Sequence, residues 1–140
     1  MAEISTLRQR LSRAIAAGTA ASRAWRVLLL LLFVVVSYFA LSPTPPKNIG
    51  FAWDKLNHVL AFAALAFTAW LGYPASRAMR VFWFCALVAY GGLIEILQLF
   101  VPGRSSEWSD LLGDTVGIVF GAVIATAALR VVSALSMRNR

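Results

Sequence analysis

Hydrophobic residues fall into four long runs along the chain, separated by short polar segments. The runs cover residues 25–41, 56–71, 81–101 and 111–129. A bilayer core of about 30 Å needs roughly 20 helical residues, so each run qualifies or nearly qualifies as a membrane span. Because the connections are short, neighbouring helices should be antiparallel. The pattern predicts an all-α membrane protein with four transmembrane helices in one antiparallel bundle.

A different pattern precedes the first run. Hydrophobic residues recur there at helical spacing, with arginines between them, at Ile4, Leu7, Leu11 and Ile15. This is typical of an amphipathic helix that lies in the membrane interface. We therefore expect three parts: an amphipathic segment (1–24), a four-helix membrane domain (25–135) and a basic tail (136–140). In an alternative interpretation the first span is a cleaved leader, because residues 40–42 have the small-x-small form of a cleavage site.

Composition and charge fix the class and the orientation. The chain is 60% hydrophobic and only 14% charged, which is typical of a membrane protein. Of the 13 Lys and Arg residues, all but Lys47, Lys55 and Arg104 fall on one side of the predicted bundle. The positive-inside rule then places both termini in the cytoplasm, as in a multi-pass protein of the bacterial cytoplasmic membrane. These cations flank apolar runs, so we expect contact with the lipid bilayer and none with nucleic acid.

Acidic residues concentrate at the opposite, outer side. Five of the six acids lie at or near the outer ends of the second, third and fourth spans: Asp54, Glu95, Glu107, Asp110 and Asp114. Glu95 would lie roughly 9 Å below the end of a helix that runs to residue 101. His58, the one histidine, falls in the same layer. Charged groups rarely face lipid, so these side chains should turn inward and form an outward-facing polar cleft.

The cleft residues have both functional and structural interpretations. His58, Glu95 and Asp114 are candidates for an acid/base cluster. Further candidates for ligand binding are Asp54, Lys55, Gln98, Arg104 and Asp110. The acids near helix starts could equally act as caps, and the two cations could contact headgroups. A metal is conceivable from Asp54, His58, Glu95 and Asp114, but the spacing gives only one intrahelical pair among these four, so we expect no metal and no cofactor.

Small residues recur every four positions on the fourth span, at Gly113, Gly117 and Gly121. Such a ladder lets another helix approach closely. The sequence leaves open whether that helix belongs to the same chain, to a second copy in a homo-oligomer, or to another membrane protein.

Three motifs carry a family resemblance. They begin with Asp54-Lys55-Leu-Asn-His58, continue with Glu95-Ile-Leu-Gln98 and Arg104, and end with Asp110-Leu-Leu-Gly-Asp114 followed by glycines. In this order and spacing they resemble the VanZ-like family of small bacterial membrane proteins, over roughly residues 50–125. Where the family usually has Asn, this chain has Asp114. The resemblance implies an association with teicoplanin resistance for the namesake and no settled biochemical mechanism.

Three functions fit these observations. The protein could bind or handle an anionic lipid-linked precursor of the cell wall or of a polysaccharide, or a lipophilic glycopeptide. It could instead be a small intramembrane enzyme that acts on a polyprenyl-phosphate-linked substrate. A proton or ion pathway ranks lowest, because the inner halves of the spans offer no matching titratable relay.

Overall fold

The computed structural model describes residues 2–43, 54–73, 76–104 and 106–138, with the side chains of 2–19, 54, 136 and 138 outside that description. Within these ranges the chain is all-helical, without strands, as predicted. The four helices are α1 (Ala2–Leu41), α2 (Asp54–Gly72), α3 (Arg77–Gln98) and α4 (Trp108–Arg138).

Three of these helices are long and apolar enough to cross a membrane. The candidate spans among the described residues are Ala20–Leu41, Arg77–Gln98 and Trp108–Leu135. The 19-residue α2 is not among them, so the fourth crossing stays a prediction. Much of the hydrophobic core nevertheless comes from α2, including Phe62, Leu65, Ala66 and Ala69.

The N-terminal helix differs from the expected division of the chain. The sequence predicts the segment 1–24 and the first span as separate elements, whereas α1 is continuous from Ala2 to Leu41. The Ala-rich junction before Trp25 favours helix and contains no proline. The expected side-chain pattern of the amphipathic segment lies outside the described residues, so its place in the interface stays a prediction.

The bounds of α3 and α4 also differ from the hydrophobic runs. Helix α3 begins at Arg77, because the Ser76 side chain caps it by accepting a hydrogen bond from the Met79 backbone N–H at 3.2 Å. It ends at Gln98, three residues before the expected end, and a turn follows in which Gly103 has a φ of 80°. Helix α4 continues past residue 129 into the expected tail. Apolar runs in the sequence indicate the part of a helix that lies in the protein interior or among lipid chains. Caps and turn residues determine where the helix begins and ends.

Side-chain contacts define an up-down-up-down arrangement. Helix α1 runs antiparallel to α2, because its Arg26 Nε donates to the Gly72 carbonyl at 2.7 Å at the far end of α2. Helices α1 and α3 run in the same direction, since the Tyr90 hydroxyl lies 2.8 Å from Ser37 Oγ and Gln98 reaches Ala40. Helices α2 and α3 each contact all other helices, whereas the described parts of α1 and α4 do not contact each other.

The closest packing joins α2 and α4, and the glycine ladder makes it possible. A Cβ at Gly117 would lie 2.3 Å from the Val59 carbonyl oxygen, and one at Gly121 would lie 2.1 Å from that of Ala63. Both distances are far inside van der Waals contact, so only glycine fits. The ladder is thus used within the chain. It aligns the first turns of α2 and α4, which run in the same direction.

The outer surface of the bundle is apolar. Large side chains such as Leu30, Val34, Ile96 and Val123 are exposed on it, as expected for helices that face lipid chains. An apolar groove of about 490 Å³ also runs over α2 between α1 and α4, lined by residues that include Leu32, Phe67 and Ile124. Lipid chains would cover this surface in a membrane.

We expect Gly121→Ala to destabilise the protein, because the added methyl group must separate α2 from α4. Overpacking of this kind costs about 1 to 3 kcal/mol. The matched control is Gly92→Ala on α3, where an added Cβ meets no atom within 4 Å. Thermal unfolding in detergent should show a lower Tm for the first variant and an equal or higher Tm for the second. Equal values for the two variants would contradict the backbone contact.

Candidate functional site

The site begins with a hydrogen bond between α2 and α4. His58 lies in the second turn of α2, and its Nδ1 is 2.9 Å from Oδ1 of Asp114. The imidazole side chain is 13% exposed and the Asp114 side chain is fully buried. The contact exists because Gly117, three residues after Asp114, allows α4 to lie close to α2, since a Cβ there would lie 2.3 Å from the Val59 carbonyl oxygen. A buried carboxylate that holds one ring nitrogen fixes the orientation of the imidazole.

A second acid of α4 flanks the same ring. Asp110 lies one turn before Asp114, and its Oδ2 is 4.0 Å from His58 Nε2. Its side chain is 6% exposed. Residues four apart share one face of a helix, so both carboxylates face α2. The imidazole therefore lies between two carboxylates of α4.

Helix α3 contributes Glu95. Its Oε2 accepts hydrogen bonds from Ser106 Oγ at 3.0 Å and from the Glu107 backbone N–H at 3.1 Å. Its Oε1 is buried and has no hydrogen-bond partner among the described residues. Glu95 is three residues from the end of α3, so it lies about 4.5 Å from that end instead of the expected 9 Å. The carboxylate joins the end of α3 to the start of α4.

These four residues form what we call the acid–histidine cluster: His58, Glu95, Asp110 and Asp114. One ligand atom each from His58, Glu95 and Asp110 lie within 4.8 Å of one another. Gly91 leaves space for the fourth member, since a Cβ there would lie 2.5 Å from Oδ2 of Asp114. The cluster thus combines three carboxylates and one imidazole from three helices, at the end of the bundle where α2 and α4 begin and α3 ends.

The other candidate residues lie around the cluster. Lys55 donates to Ser109 Oγ at 2.9 Å and lies 3.6 Å from Glu107 Oε2. The Lys55 and Glu107 side chains are about half exposed, which places this pair at the open end of the bundle. Asp54 is the first residue of α2, and its side chain lies outside the described residues.

Gln98 and Arg104 contact a different element, the C-terminal end of α1. The Gln98 Nε2 donates to the Ala40 carbonyl at 3.0 Å. The Arg104 guanidinium donates to the carbonyls of Phe39 and Ser42. The last carbonyls of a helix lack intrahelical donors, and a cationic donor is favourable there. The structure therefore gives both side chains a role in holding α1, and their binding of a ligand stays a prediction.

Several site residues have no distinctive signal in the sequence. Ser106 and Glu107 hold the Glu95 carboxylate, yet serine and acid before a helix suggest only a cap. Gly91 appears as one more small residue in an apolar run. The short connection between the third and fourth spans could have indicated Ser106 and Glu107. Such a connection brings the last turn of α3 close to the first turn of α4.

Comparison with known proteins adds the family. The sequence profile described as VanZ/LLP1 matches residues 9–130, which include most of α1, all of α2 and α3, and the first three quarters of α4. The chain belongs to the VanZ/LLP1 family. Searches of curated proteins and of solved structures found no match. The resemblance seen in the three motifs is thereby confirmed, and with three membrane-capable helices the chain is a VanZ-like membrane protein.

The structure of this VanZ/LLP1 protein brings part of each motif to one place. His58 comes from the first motif, Glu95 from the second, and Asp110 and Asp114 from the third. Two of the other motif residues, Gln98 and Arg104, attach α1 to the same end of the bundle. The motifs therefore contain both the cluster and the contacts that support it.

We expect Arg104→Ala to lower the stability of this VanZ/LLP1 protein by about 2 to 3 kcal/mol, because it removes hydrogen bonds from a charged donor. The control is Arg77→Ala, which removes an exposed arginine from the start of α3. Thermal unfolding in detergent measures both. An unchanged Tm for Arg104→Ala would show that the contact with α1 does not support the fold and would favour a ligand role.

Proposed function

We propose that this VanZ-like protein binds the phosphate-bearing headgroup of a lipid-linked cell-envelope precursor at the acid–histidine cluster, in the outer leaflet of the bacterial cytoplasmic membrane. The observation that carries the proposal is the convergence of His58, Glu95 and Asp110 at one end of a membrane bundle. Buried charged groups are costly in a membrane protein and usually mark a functional site. A site at this depth lies at the level of lipid headgroups.

The outward orientation is supported by the basic residues at the other end. Arg26, Arg77, Arg80 and Arg130 lie at or near the end of the bundle that is opposite to the cluster. Under the positive-inside rule that end faces the cytoplasm, together with both termini. The cluster then faces the side on which cell-wall and polysaccharide precursors are used.

The composition of the core between the cluster and the opposite end of the bundle favours a binding function over a transport function. Further along the helices, most of the described buried residues are apolar, including Leu65, Ala69, Leu87 and Ile118, and the hydroxyl of buried Thr68 donates to carbonyls of its own helix. A continuous pathway would need polar or titratable groups through this region. A cluster located at one end of the bundle suits a ligand that approaches from the headgroup layer.

The ligand needs both a charged and a lipid part. Half-exposed Lys55 supplies a positive charge at the open end of the bundle, where a phosphate would first meet the protein. The exposed apolar side chains of the bundle keep the protein among lipid chains, so its ligand can remain in the membrane. A lipophilic glycopeptide such as teicoplanin combines similar features, and family membership makes it a second ligand to test.

Catalysis at the same cluster is the second candidate function. The 2.9 Å contact between His58 and Asp114 favours it, because a carboxylate that orients an imidazole is common in acid–base sites and in metal sites. The protein would then be a small intramembrane enzyme that acts on a polyprenyl-phosphate-linked substrate. Binding alone leaves the lipid unchanged, whereas turnover forms new products. One experiment can therefore distinguish the two functions.

We expect purified protein in lipid nanodiscs to bind polyprenyl-pyrophosphate-linked sugars at least tenfold more tightly than a neutral polyprenol. Glu95→Gln keeps the size of the side chain but removes the carboxylate that accepts from Ser106 and from the Glu107 N–H, so it should disturb the cluster and weaken binding about tenfold. The control is Glu3→Gln, the same change at the start of α1. Native mass spectrometry measures binding, and mass analysis after incubation detects products. New products would favour the enzyme; equal binding of all lipids and variants would contradict the proposal.

The orientation has its own test, because Cys85 is the single cysteine. In a Cys85→Ser background, Leu99→Cys places a thiol in the exposed turn after α3, and Met137→Cys places one near the end of α4. A membrane-impermeant thiol reagent should label the first variant in intact cells and the second only after permeabilisation. The reverse labelling would place the cluster on the cytoplasmic side.

A further inference from the structure

We propose that His58, Glu95 and Asp110 bind a divalent transition-metal cation, with Zn²⁺ as the first candidate, and that Asp114 orients His58 for this role. The sequence alone predicts no metal, because its spacing shows only one pair of potential ligands on one helix. The fold adds the missing proximity by bringing together side chains from α2, α3 and α4.

The distances suit one small cation. A nitrogen of His58 and carboxylate oxygens of Glu95 and Asp110 lie within 4.8 Å of one another. In a tetrahedral site with metal bonds of roughly 2.0 to 2.2 Å, neighbouring ligand atoms lie about 3.3 to 3.6 Å apart. The three ligand atoms must therefore move closer together to share one ion, and rotation of the Asp110 side chain toward His58 and Glu95 would bring them together.

The orientation of His58 is that of a metal ligand. Its Nδ1 lies 2.9 Å from the buried Oδ1 of Asp114, while its Nε2 faces Asp110. Ligating histidines almost always donate their second ring N–H to a carboxylate, a carbonyl or water, which fixes the tautomer. Asp114 supplies this carboxylate. The Asp114 side chain is fully buried, so the contact is protected from water.

A buried carboxylate oxygen without a hydrogen-bond donor in the described part of the chain is a second, independent observation that supports a bound cation. Glu95 is 7% exposed, and its Oε1 has no hydrogen-bond donor among the described residues. Its Oε2 is fixed by Ser106 and Glu107, so the carboxylate is held in place beside His58 and Asp110. A buried carboxylate oxygen without a donor is costly, and a bound cation would offset that cost.

The charge balance also favours a cation. Three buried carboxylates share the cluster with one imidazole. Two described basic side chains at this end of the bundle have partners outside the cluster: Lys55 contacts Ser109 and Glu107, and Arg104 contacts the end of α1. Several like charges resist burial together unless they are compensated. A divalent cation would supply the compensation at the centre of the group.

The chemistry of the ligand set narrows the class of metal. Imidazole nitrogen favours Zn²⁺ and neighbouring transition metals, whereas carboxylates alone would favour Mg²⁺ or Ca²⁺. Three protein ligands leave at least one coordination position for water or for an oxygen of a bound molecule. Resting on the proposed function, we assign that position to a phosphate oxygen of the lipid headgroup. The cation would explain how an acidic cluster accepts an anionic ligand.

The experiment begins with metal alone. Protein purified in detergent is stripped with a chelator and titrated with Zn²⁺, Mn²⁺, Mg²⁺ or Ca²⁺; bound metal is measured by elemental mass spectrometry and stability by thermal unfolding. We expect about one Zn²⁺ per chain and a rise in Tm of several degrees, with weaker effects of Mg²⁺ and Ca²⁺. Absence of stoichiometric Zn²⁺ and of a Tm shift in the wild type would overturn the proposal.

Variants separate a built site from adventitious binding. Asp110→Asn and Glu95→Gln each lose a charged ligand and should weaken Zn²⁺ binding at least tenfold, and Asp114→Asn should weaken it by 10- to 100-fold through the orientation of His58. The matched control is Glu107→Gln, an exposed acid next to the cluster but outside the ligand set. Equal affinities of all four variants and the wild type would overturn the proposal.

A spectroscopic measurement distinguishes the loss of a metal ligand from the loss of folding. Co²⁺ bound to nitrogen and oxygen ligands should give a visible absorption band in the wild type, and Asp110→Asn should lose it while its metal-free Tm stays within a few degrees. A band that persists in Asp110→Asn would overturn the ligand assignment.

Lipid binding then separates this proposal from the proposed function. If Zn²⁺ binds but phosphate-bearing lipids do not, the metal site stands and the proposed function fails. If those lipids bind equally with and without chelator, the proposed function stands and the bridging role of the cation fails.

Discussion

The backbone contact between α2 and α4 is the constraint on which the rest of the structure depends. Gly117 and Gly121 allow α4 to touch the carbonyls of Val59 and Ala63. Without side chains at these two positions, the first turns of both helices come level, and His58 reaches Asp114. A wider separation of the helices would leave the His58 and Asp114 side chains without this hydrogen bond. The packing of small residues therefore determines the electrostatics of the site.

The cluster and the end of α1 form two adjoining polar systems with different tasks. His58, Asp110 and Glu95 gather at the centre of α2, α3 and α4, whereas Gln98 and Arg104 hold α1 against the same end of the bundle. The proposed ligand and cation concern only the first system. One polar end of the bundle can therefore hold the cluster and also fix α1 in a chain of 140 residues.

Residue patterns predict some of these features better than others. Apolar runs reveal that the chain is helical, since the run length reflects the thickness of the bilayer, and the motifs reveal the family. The start of α3 and the depth of Glu95 depend on a cap at Ser76 and on a turn near Gly103, which are local hydrogen-bond and backbone effects. The role of Arg104 depends on which carbonyls lie opposite it. The periodicity of a single sequence does not show which helix end lies opposite Arg104.

Glu95 joins two tasks in one side chain. Its Oε2 closes the α3–α4 hairpin through Ser106 and Glu107, while the same carboxylate lies beside His58 and Asp110. Evolutionary change at this position is therefore doubly constrained, because any replacement must satisfy the hairpin and the cluster together. Surrounding residues have fewer such constraints. Specificity for the proposed ligand would therefore change more readily through Lys55 and Ser109 than through Glu95 itself.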